Sequence, residues 1–398
     1  MRRFTEAGLL PFMLLLFILP FSGTVAFRLV CVALAFVYAM VAWRRSSVPQ
    51  IPFLPVLLFW GASVLASLFY ALDPDYSLSE VKNELMYTMM VFIGFFVITS
   101  DWRRIRWFLL ALTAGALVLC IAALWTRAQL GLWSESSAYS FGGSAAFAGY
   151  LVAVAPMASL LLFLSDDKWM RRLSLALLGL LLIAGYYCLQ RIIWPVLFVQ
   201  VSVALILGGK HFGFAIKRVV GVLFLTAVAA ALALQVTQVT RSQGGTQSST
   251  AMSTDDRLFF FPKVVARILE TPWSGAGFGR RALSKAHSDL VPTGNPTIWH
   301  GHNVVLNYGL SMGLPGMVAI LLVFGALLRE YLRFWRSGDR RLVMLGVCGI
   351  ALVLGVFLRN MVNDMFVRDQ ALLFWALNGM LLGLGCRQSL PTARPAEP

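Results

Sequence analysis

The sequence predicts an all-α polytopic membrane protein with about twelve transmembrane helices and one long outward-facing loop that carries short helices. Three observations carry that prediction. Of 398 residues, 59% are hydrophobic and 13% charged, more apolar surface than a water-soluble core can enclose. The apolar residues gather into twelve stretches, each near the roughly 20 residues that a bilayer core requires. The basic residues, finally, fall mainly in every second connection.

The stretches run at about 8 to 23, 27 to 43, 52 to 72, 84 to 100, 106 to 125, 143 to 164, 173 to 189, 192 to 208, 217 to 236, 310 to 330, 342 to 358 and 369 to 386. The first follows Arg2-Arg3 and precedes Thr24-Val25-Ala26, a pattern it shares with secretory signals, but it is read as a span. Arg44-Arg45 closes the second. Asp73-Pro74-Asp75 follows the third; it has the form of a metal-binding Asp-x-Asp but reads as a helix-terminating turn. Glu80, Lys82 and Glu84 stand at the mouth of the fourth, where they either shape a site or pair with one another. Arg103, Arg104 and Arg106 introduce the fifth, and Lys168, Arg171 and Arg172 the seventh. The seventh and eighth almost touch at Gln190-Arg191. Lys210, Lys217 and Arg218 separate the eighth from the ninth. Five arginines from Arg329 to Arg341 separate the tenth from the eleventh, and Arg387 and Arg394 follow the last. The chain thus divides into spans at 1–236, a long loop at 237–309, further spans at 310–386 and a tail at 387–398.

Lys and Arg divide twenty to thirteen between the two sets of connections, and seven of the thirteen lie in the long loop, where charge resists translocation only weakly. Both termini are therefore expected in the cytoplasm, and the loop faces a periplasm or extracellular space. The net charge of +15 follows from this inward bias and from contact with anionic lipid; no motif supports nucleic-acid binding. The five cysteines lie within or at the ends of apolar stretches and suggest neither a disulfide framework nor a metal site.

The outward basic residues are what topology leaves unexplained. Arg191 belongs at the outer membrane boundary, either reaching phospholipid headgroups or clamping a lipid-linked phosphate with a fork that cannot be deprotonated. The long loop opens with the polar connector Ser242 to Ser249. Ser253, Thr254 or Asp255 then caps a helix running to Glu270, whose Phe259, Phe260, Phe261, Val264, Val265, Ile268 and Leu269 suit a membrane interface or the side of the bundle. Arg257 and Arg267 lie about 80° apart on it, able to face one cavity or to form a solvated basic face. Thr271-Pro272 stops this helix, and glycines at 275, 277 and 279 follow; the pattern is a close backbone turn rather than a phosphate-binding loop.

Trp299-His300-Gly301-His302-Asn303 ends the loop and holds two of the four histidines. Asn303 is positioned to cap the next helix, whose positive end would favour a neutral His302. Three readings stay open for the pair: structural loop histidines, a metal site needing Asp289 or His287 as a further ligand, and a general base.

Taken together, Gln190-Arg191 at an outer helix end, Arg257 followed by Pro272-Trp273-Ser274-Gly275-Ala276-Gly277, and His302-Asn303 leading to Gly313-Leu314-Pro315-Gly316 resemble the O-antigen ligase family, part of a wider superfamily of O-antigen ligases and polymerases. The resemblance covers about residues 130 to 330 and includes the topology. Related proteins often carry Ser-Arg-Gly where this chain has Gln190-Arg191-Ile192, and an Asn-rich turn in place of Phe141-Gly142-Gly143-Ser144.

The resemblance implies transfer of a glycan from undecaprenyl diphosphate to a sugar of the lipid A core, at the periplasmic face of a bacterial inner membrane. Cleavage of the sugar–phosphate bond leaves a diphosphate of growing negative charge, which arginine can stabilise in place of metal. Arg191 and Arg257 are the expected clamp, with Arg267 a third candidate. His302, with His300 beside it, is the expected base toward the acceptor hydroxyl. The expected reaction is metal-independent, uses no cofactor and inverts the anomeric centre. An O-antigen polymerase and a protein O-oligosaccharyltransferase share the donor and differ in acceptor. A lipid or solute transporter is the non-enzymatic rival; the chain has few mid-membrane charges and no internal repeat in its favour.

Overall fold

The computed structural model describes residues 7–21, 23–45, 47–130, 143–243, 256–291, 300–362, 364, 366 and 368–389. The connector at 244–255 with its candidate caps, Phe141-Gly142, Trp299 and most of the C-terminal tail lie outside them, as do the side chains of residues 130, 212, 241–243 and 256–259. The described chain is all helical, with no strand.

Its helices in order are α1 (Leu10–Ile18), α2 (Val25–Trp43), α3 (Leu54–Ala66, tightened into a 3-10 turn over Ser67–Tyr70), α4 (Pro74–Ile98) and α5 (Trp102–Leu130). There follow α6 (Ser144–Leu164), α7 (Lys168–Tyr187), α8 (Ile193–His211), α9 (Ile216–Gln243), α10 (Asp256–Glu270), α11 (Ala282–Ala286), α12 (Val304–Trp335), α13 (Arg340–Asn360) and α14 (Arg368–Gln388). Among the described residues nine of these are long and apolar enough to cross a membrane: α2, α4 through α9, α12 and α13. The other three apolar stretches are also helical. Helix α1 is cut to nine residues, just ahead of Pro20, which has no N–H to extend it. Helix α3 is short, whereas α14 has 21 residues and a continuous buried run from Ala371 to Cys386.

Two loop boundaries differ from the expected ones. Helix α9 continues to Gln243; near its end, the Thr237 hydroxyl bonds Ala233 O within the helix and accepts from Trp194 Nε1 at 3.0 Å. Helix α12 begins at Val304, directly after the expected Asn303 cap and ahead of the apolar stretch at 310–330, because the segment before Gly313 is itself a buried half-helix.

The tightest packing has a readable cause. Gly379 and Gly383 on α14 form a Gly-x-x-x-Gly pair, and a Cβ at either would overlap the carbonyl oxygens of Phe92 and Phe96 on α4. Small residues at that spacing let two backbones approach inside a membrane. Trp375 then stacks on Trp60 of α3 at 5.6 Å and meets Phe92 edge-on at 5.4 Å, contacts worth about 0.5–1.5 kcal/mol each beyond buried area. Phe12 of α1 packs into the same core against Phe95 and Phe108. Helix α9 lies at the edge, touching chiefly α8 and exposing Phe224, Leu225 and Leu232, as a surface facing lipid does. Helix α10 buries Phe260, Val264 and Ile268 against Leu306 and Leu310 of α12, so it packs on the bundle; its other face leaves Val265, Leu269 and Trp273 exposed.

The two ends of the bundle differ in their arginine chemistry. At one, guanidiniums bond the last carbonyls of helices: Arg104 to Ile98 O, Arg106 to Leu164 O, Arg171 to Ser165 O, and Arg387 to Phe96 O and Val97 O, all between 2.7 and 3.0 Å. Cations there suit the negative helix ends. At the other end Arg28 pairs with Asp369, Lys285 with Asp73, Gln190 with Ser144, and Arg359 donates to Ala145 O. The long-loop helices and both loop histidines belong to this second end.

Candidate functional site

The site is built on a break in α12. Gly313 has φ 69° and ψ −159°, a region only glycine occupies readily, and Pro315 has no N–H. The carbonyls of Leu310 and Ser311 therefore lose their partners within the helix. The glycine turn supplies them: Ala276 N–H donates to Leu310 O at 2.9 Å and Gly277 N–H to Ser311 O at 3.1 Å, while Leu314 N–H donates back to Pro272 O at 2.7 Å. Two motifs about forty residues apart in sequence thus form one hydrogen-bonded unit. Gly275 lies so close to Ser311 and Met312 that a side chain there would strike backbone. Gly277 and Gly279 have φ 96° and 135°, which explains glycine at alternate positions.

The turn delivers Arg280. Its Nη2 lies 3.1 Å from His300 Nε2 and donates to Asp364 O. His300 and His302 are 3% and 6% exposed, and their rings stack with centroids 4.0 Å apart. His302 N–H donates to His300 Nδ1 at 3.1 Å. His300 is therefore approached by a donor at each ring nitrogen: a neutral ring satisfies one of them, an imidazolium neither. Asn307 fixes the same loop, accepting from Gly301 N–H at 2.7 Å and donating to the Asp364 carboxylate. Asn303 caps α12 as expected, its side-chain oxygen accepting from Val305 N–H and Leu306 N–H at 2.9 and 3.1 Å. The other side of that amide donates to Met361 O.

A pocket opens beside this unit, lined by Glu80, Glu84, Phe278, Arg280, Asn307, Tyr308, Ser311 and Asp364 among others. Glu80 and Glu84 reach it because the chain widens to a π turn over Val81–Met86, a feature that recurs at functional sites. They do not pair with one another. Glu84 accepts with both carboxylate oxygens from Arg368 N–H at 2.8 Å, and Glu80 faces the pocket in the field of Arg368, Arg280 and Arg281. Lys82 is exposed. Asp73 opens α4 rather than ending a helix: it accepts from Tyr76 N–H at 3.0 Å and pairs with Lys285. The hydrogen bonds from Lys285 and Tyr76 hold its carboxyl below the ordinary value.

The expected arginines fall in three situations. Arg191 sits in the tight turn between α7 and α8, half-buried, and its Nη1 is enclosed with no hydrogen-bond partner among the described residues. Arg257 lies in the first turn of α10, with its side chain outside the described residues. Arg267 does not line the pocket: its guanidinium meets Glu270 at 3.1 Å, Asp289 at 2.7 Å and His287 Nδ1 at 3.3 Å. Asp289 and His287 are thereby engaged in holding the loop. Burial, with Arg267 adding to it, pushes the His287 imidazole below its usual value.

Among the described residues three non-glycine residues adopt positive φ: Leu189 at 53°, His302 at 49° and Arg368 at 44°. One precedes Gln190-Arg191, one is the expected base and one holds Glu84. Such conformations cost about 1–3 kcal/mol each and concentrate at functional sites. The sequence reading missed Arg280 and Asp364. Arg280 carried a signal in its place directly after the last alternate glycine; Asp364, in a connection of ordinary composition, carried none.

Comparison with known protein families finds no match for the chain, and comparison with curated proteins finds none either.

Proposed function

We propose that the chain is a glycosyltransferase of the O-antigen ligase type, which moves a glycan from undecaprenyl diphosphate to a sugar hydroxyl of the lipid A core. The observation that carries the proposal is the buried, stacked His300–His302 pair, anchored by Arg280 at the start of a broken helix, at the same bundle end as Arg191. In this reading the chain crosses a bacterial inner membrane twelve times, both termini are cytoplasmic, and the histidine end faces the periplasm.

His302 takes the proton of the acceptor hydroxyl as its oxygen attacks the anomeric carbon. The bond from that carbon to the phosphate oxygen breaks on the opposite face, and the diphosphate leaves with the electron pair. The anomeric centre inverts and no covalent enzyme intermediate forms. A base so placed contributes about 10²–10⁴ in rate. Arg191, whose enclosed Nη1 has no acceptor among the described residues, and Arg257 hold the diphosphate without a metal, and loss of either is expected to cost about 10²–10³. His300 and Arg280 set the ring of His302. Arg267 is left out of the clamp because Glu270, Asp289 and His287 already occupy it. The polymerase and protein-glycosylation readings use the same donor chemistry and differ at the acceptor.

The test is expression in a Gram-negative strain lacking its own O-antigen ligase, with lipopolysaccharide resolved on a gel and blotted for O-antigen. Wild type should restore the ladder; His302→Ala and Arg191→Ala, at matched membrane levels, should not. Full laddering by both variants would overturn the mechanism. No laddering by wild type with a compatible donor would shift the assignment to polymerase or protein glycosylation.

A further inference from the structure

Glu80 is the least explained group at the site. It is 6% exposed, lines the pocket, lies in the field of Arg368, Arg280 and Arg281, and among the described residues accepts no hydrogen bond. Its carboxyl oxygens are not among the enclosed unpartnered atoms, so they open on the pocket and can accept from a ligand that brings donors.

The rest of the lining narrows that ligand. Glu84 and the Asp364 carboxylate add two more acidic groups. Arg280, the one basic side chain in the lining, is turned to His300 and Asp364 O. Carboxyl groups outnumber the single basic side chain in this lining, which favours a partner rich in O–H and N–H donors over phosphate. Asn307 and Ser311 contribute further polar atoms, although Ser311 Oγ also donates to Gly279 O at 2.9 Å. Phe278 and Tyr308 meet edge-on at 6.0 Å and form an apolar wall. Carboxylates opposite aromatic rings suit a pyranose: hydroxyls toward the acids, C–H face toward the rings. Glu80 lies six residues into α4, about 9 Å along the helix from Pro74, near the depth of lipid headgroups.

We infer that this pocket is the acceptor subsite, holding a phosphate-free, hydroxyl-rich sugar ring whose hydroxyls donate to Glu80. The inference rests on the glycosyl-transfer reading and deepens it. Sugar and diphosphate are then held by different chemistry: acids in the pocket beside the histidines, arginines at Arg191 and Arg257. The pocket meets the histidine loop through Arg280, which contacts His300, and Asn307, which accepts from Gly301 N–H.

Binding tests it without requiring transfer. Wild-type protein in nanodiscs is titrated calorimetrically with dephosphorylated lipopolysaccharide core oligosaccharide, with the same oligosaccharide retaining its phosphates, and with the free repeat-unit glycan of an O-antigen. The expected order is tightest binding of the dephosphorylated core, with Glu80→Gln weakening it about tenfold or more. Glu80→Asp, which keeps the charge but withdraws it, should lie between. If Glu80→Gln is not recovered folded, Glu80→Asp and the ligand order in wild type decide. No binding of the core by wild type, equal binding by the Glu80 variants, or tighter binding of the repeat-unit glycan would overturn the assignment. Core binding that depends on Glu80, in a protein that never transfers, would sustain the pocket while refuting the transfer reading. Active transfer with a core that ignores Glu80 would do the reverse.

Discussion

At the scale of single residues, backbone conformation separates two kinds of oddity near the site. Leu189 occupies the left-handed position that ends α7, where glycine is usual. Leu189→Gly should therefore unfold no more easily than wild type, whereas Leu189→Val should lose about 1–2 kcal/mol; chemical denaturation in detergent checks both. His302 has the same backbone but a different purpose. His302→Asn keeps a residue that tolerates left-handed geometry while removing the imidazole, so it should keep the fold and lose about 10²–10⁴ in transfer. A charge-state prediction belongs to His287. Its folded pKa is depressed, so the unfolded chain binds more protons just below pH 6.5 and the stability it lends is present above that pH and lost as pH falls. Hydrogen exchange across residues 282–291 should quicken between pH 7.5 and 5.5, and His287→Gln should flatten the change. The Asp73–Lys285 pair, with Asp73 held low, should survive this range and fail only below about pH 3.8.

At the scale of elements, the break in α12 and the glycine turn stand or fall together. Gly313→Ala would place a Cβ 2.5 Å from Pro272 O and impose a backbone that alanine resists, so a loss of at least about 2 kcal/mol is expected. The paired expectation is that Gly277→Ala, which would meet Ala71 and Ser77, disturbs His300 as strongly as Gly313→Ala does. Histidine NMR spectra of the two variants, which should shift alike, test the coupling. Both motifs were legible as turns, from Pro272 and the alternate glycines and from Gly313-Leu314-Pro315-Gly316. Their docking was not, since hydrogen bonds between distant segments leave no local periodicity. The α10 helix and the Asn303 cap were legible because apolar spacing and cap chemistry are local. For Arg267 the sequence left a cavity and a solvated face both open, since helical angle gives a face while Asp289 and His287, about twenty residues on, decide what the guanidinium meets.

At the scale of the whole molecule, composition and charge spacing were enough for an all-helical membrane chain, because bilayer thickness sets helix length directly. What composition did not reach is governed by tertiary packing: α1 is cut to nine residues, α9 outruns its apolar stretch and α12 holds a buried half-helix. The proposed orientation puts the Arg104, Arg106, Arg171 and Arg387 end in the cytoplasm and the histidine end outside it. A reporter active only outside the cytoplasm should work when fused after Gln243 and fail when fused after Arg45. Helix α9, packed chiefly on α8, should accept apolar exchanges at Phe224, whereas Leu225→Lys should cost about 2.5–3.5 kcal/mol of insertion.

The most direct measurement is transfer in proteoliposomes supplied with an undecaprenyl-diphosphate glycan and a lipid A core acceptor, following both the glycosylated product and the released lipid diphosphate. Wild type should form the two in equal amounts, and His302→Asn, folded and reconstituted to the same level, should form neither at a measurable rate. Undiminished product from the His302→Asn protein would contradict the account, because the histidine pair would then be a structural feature of the loop.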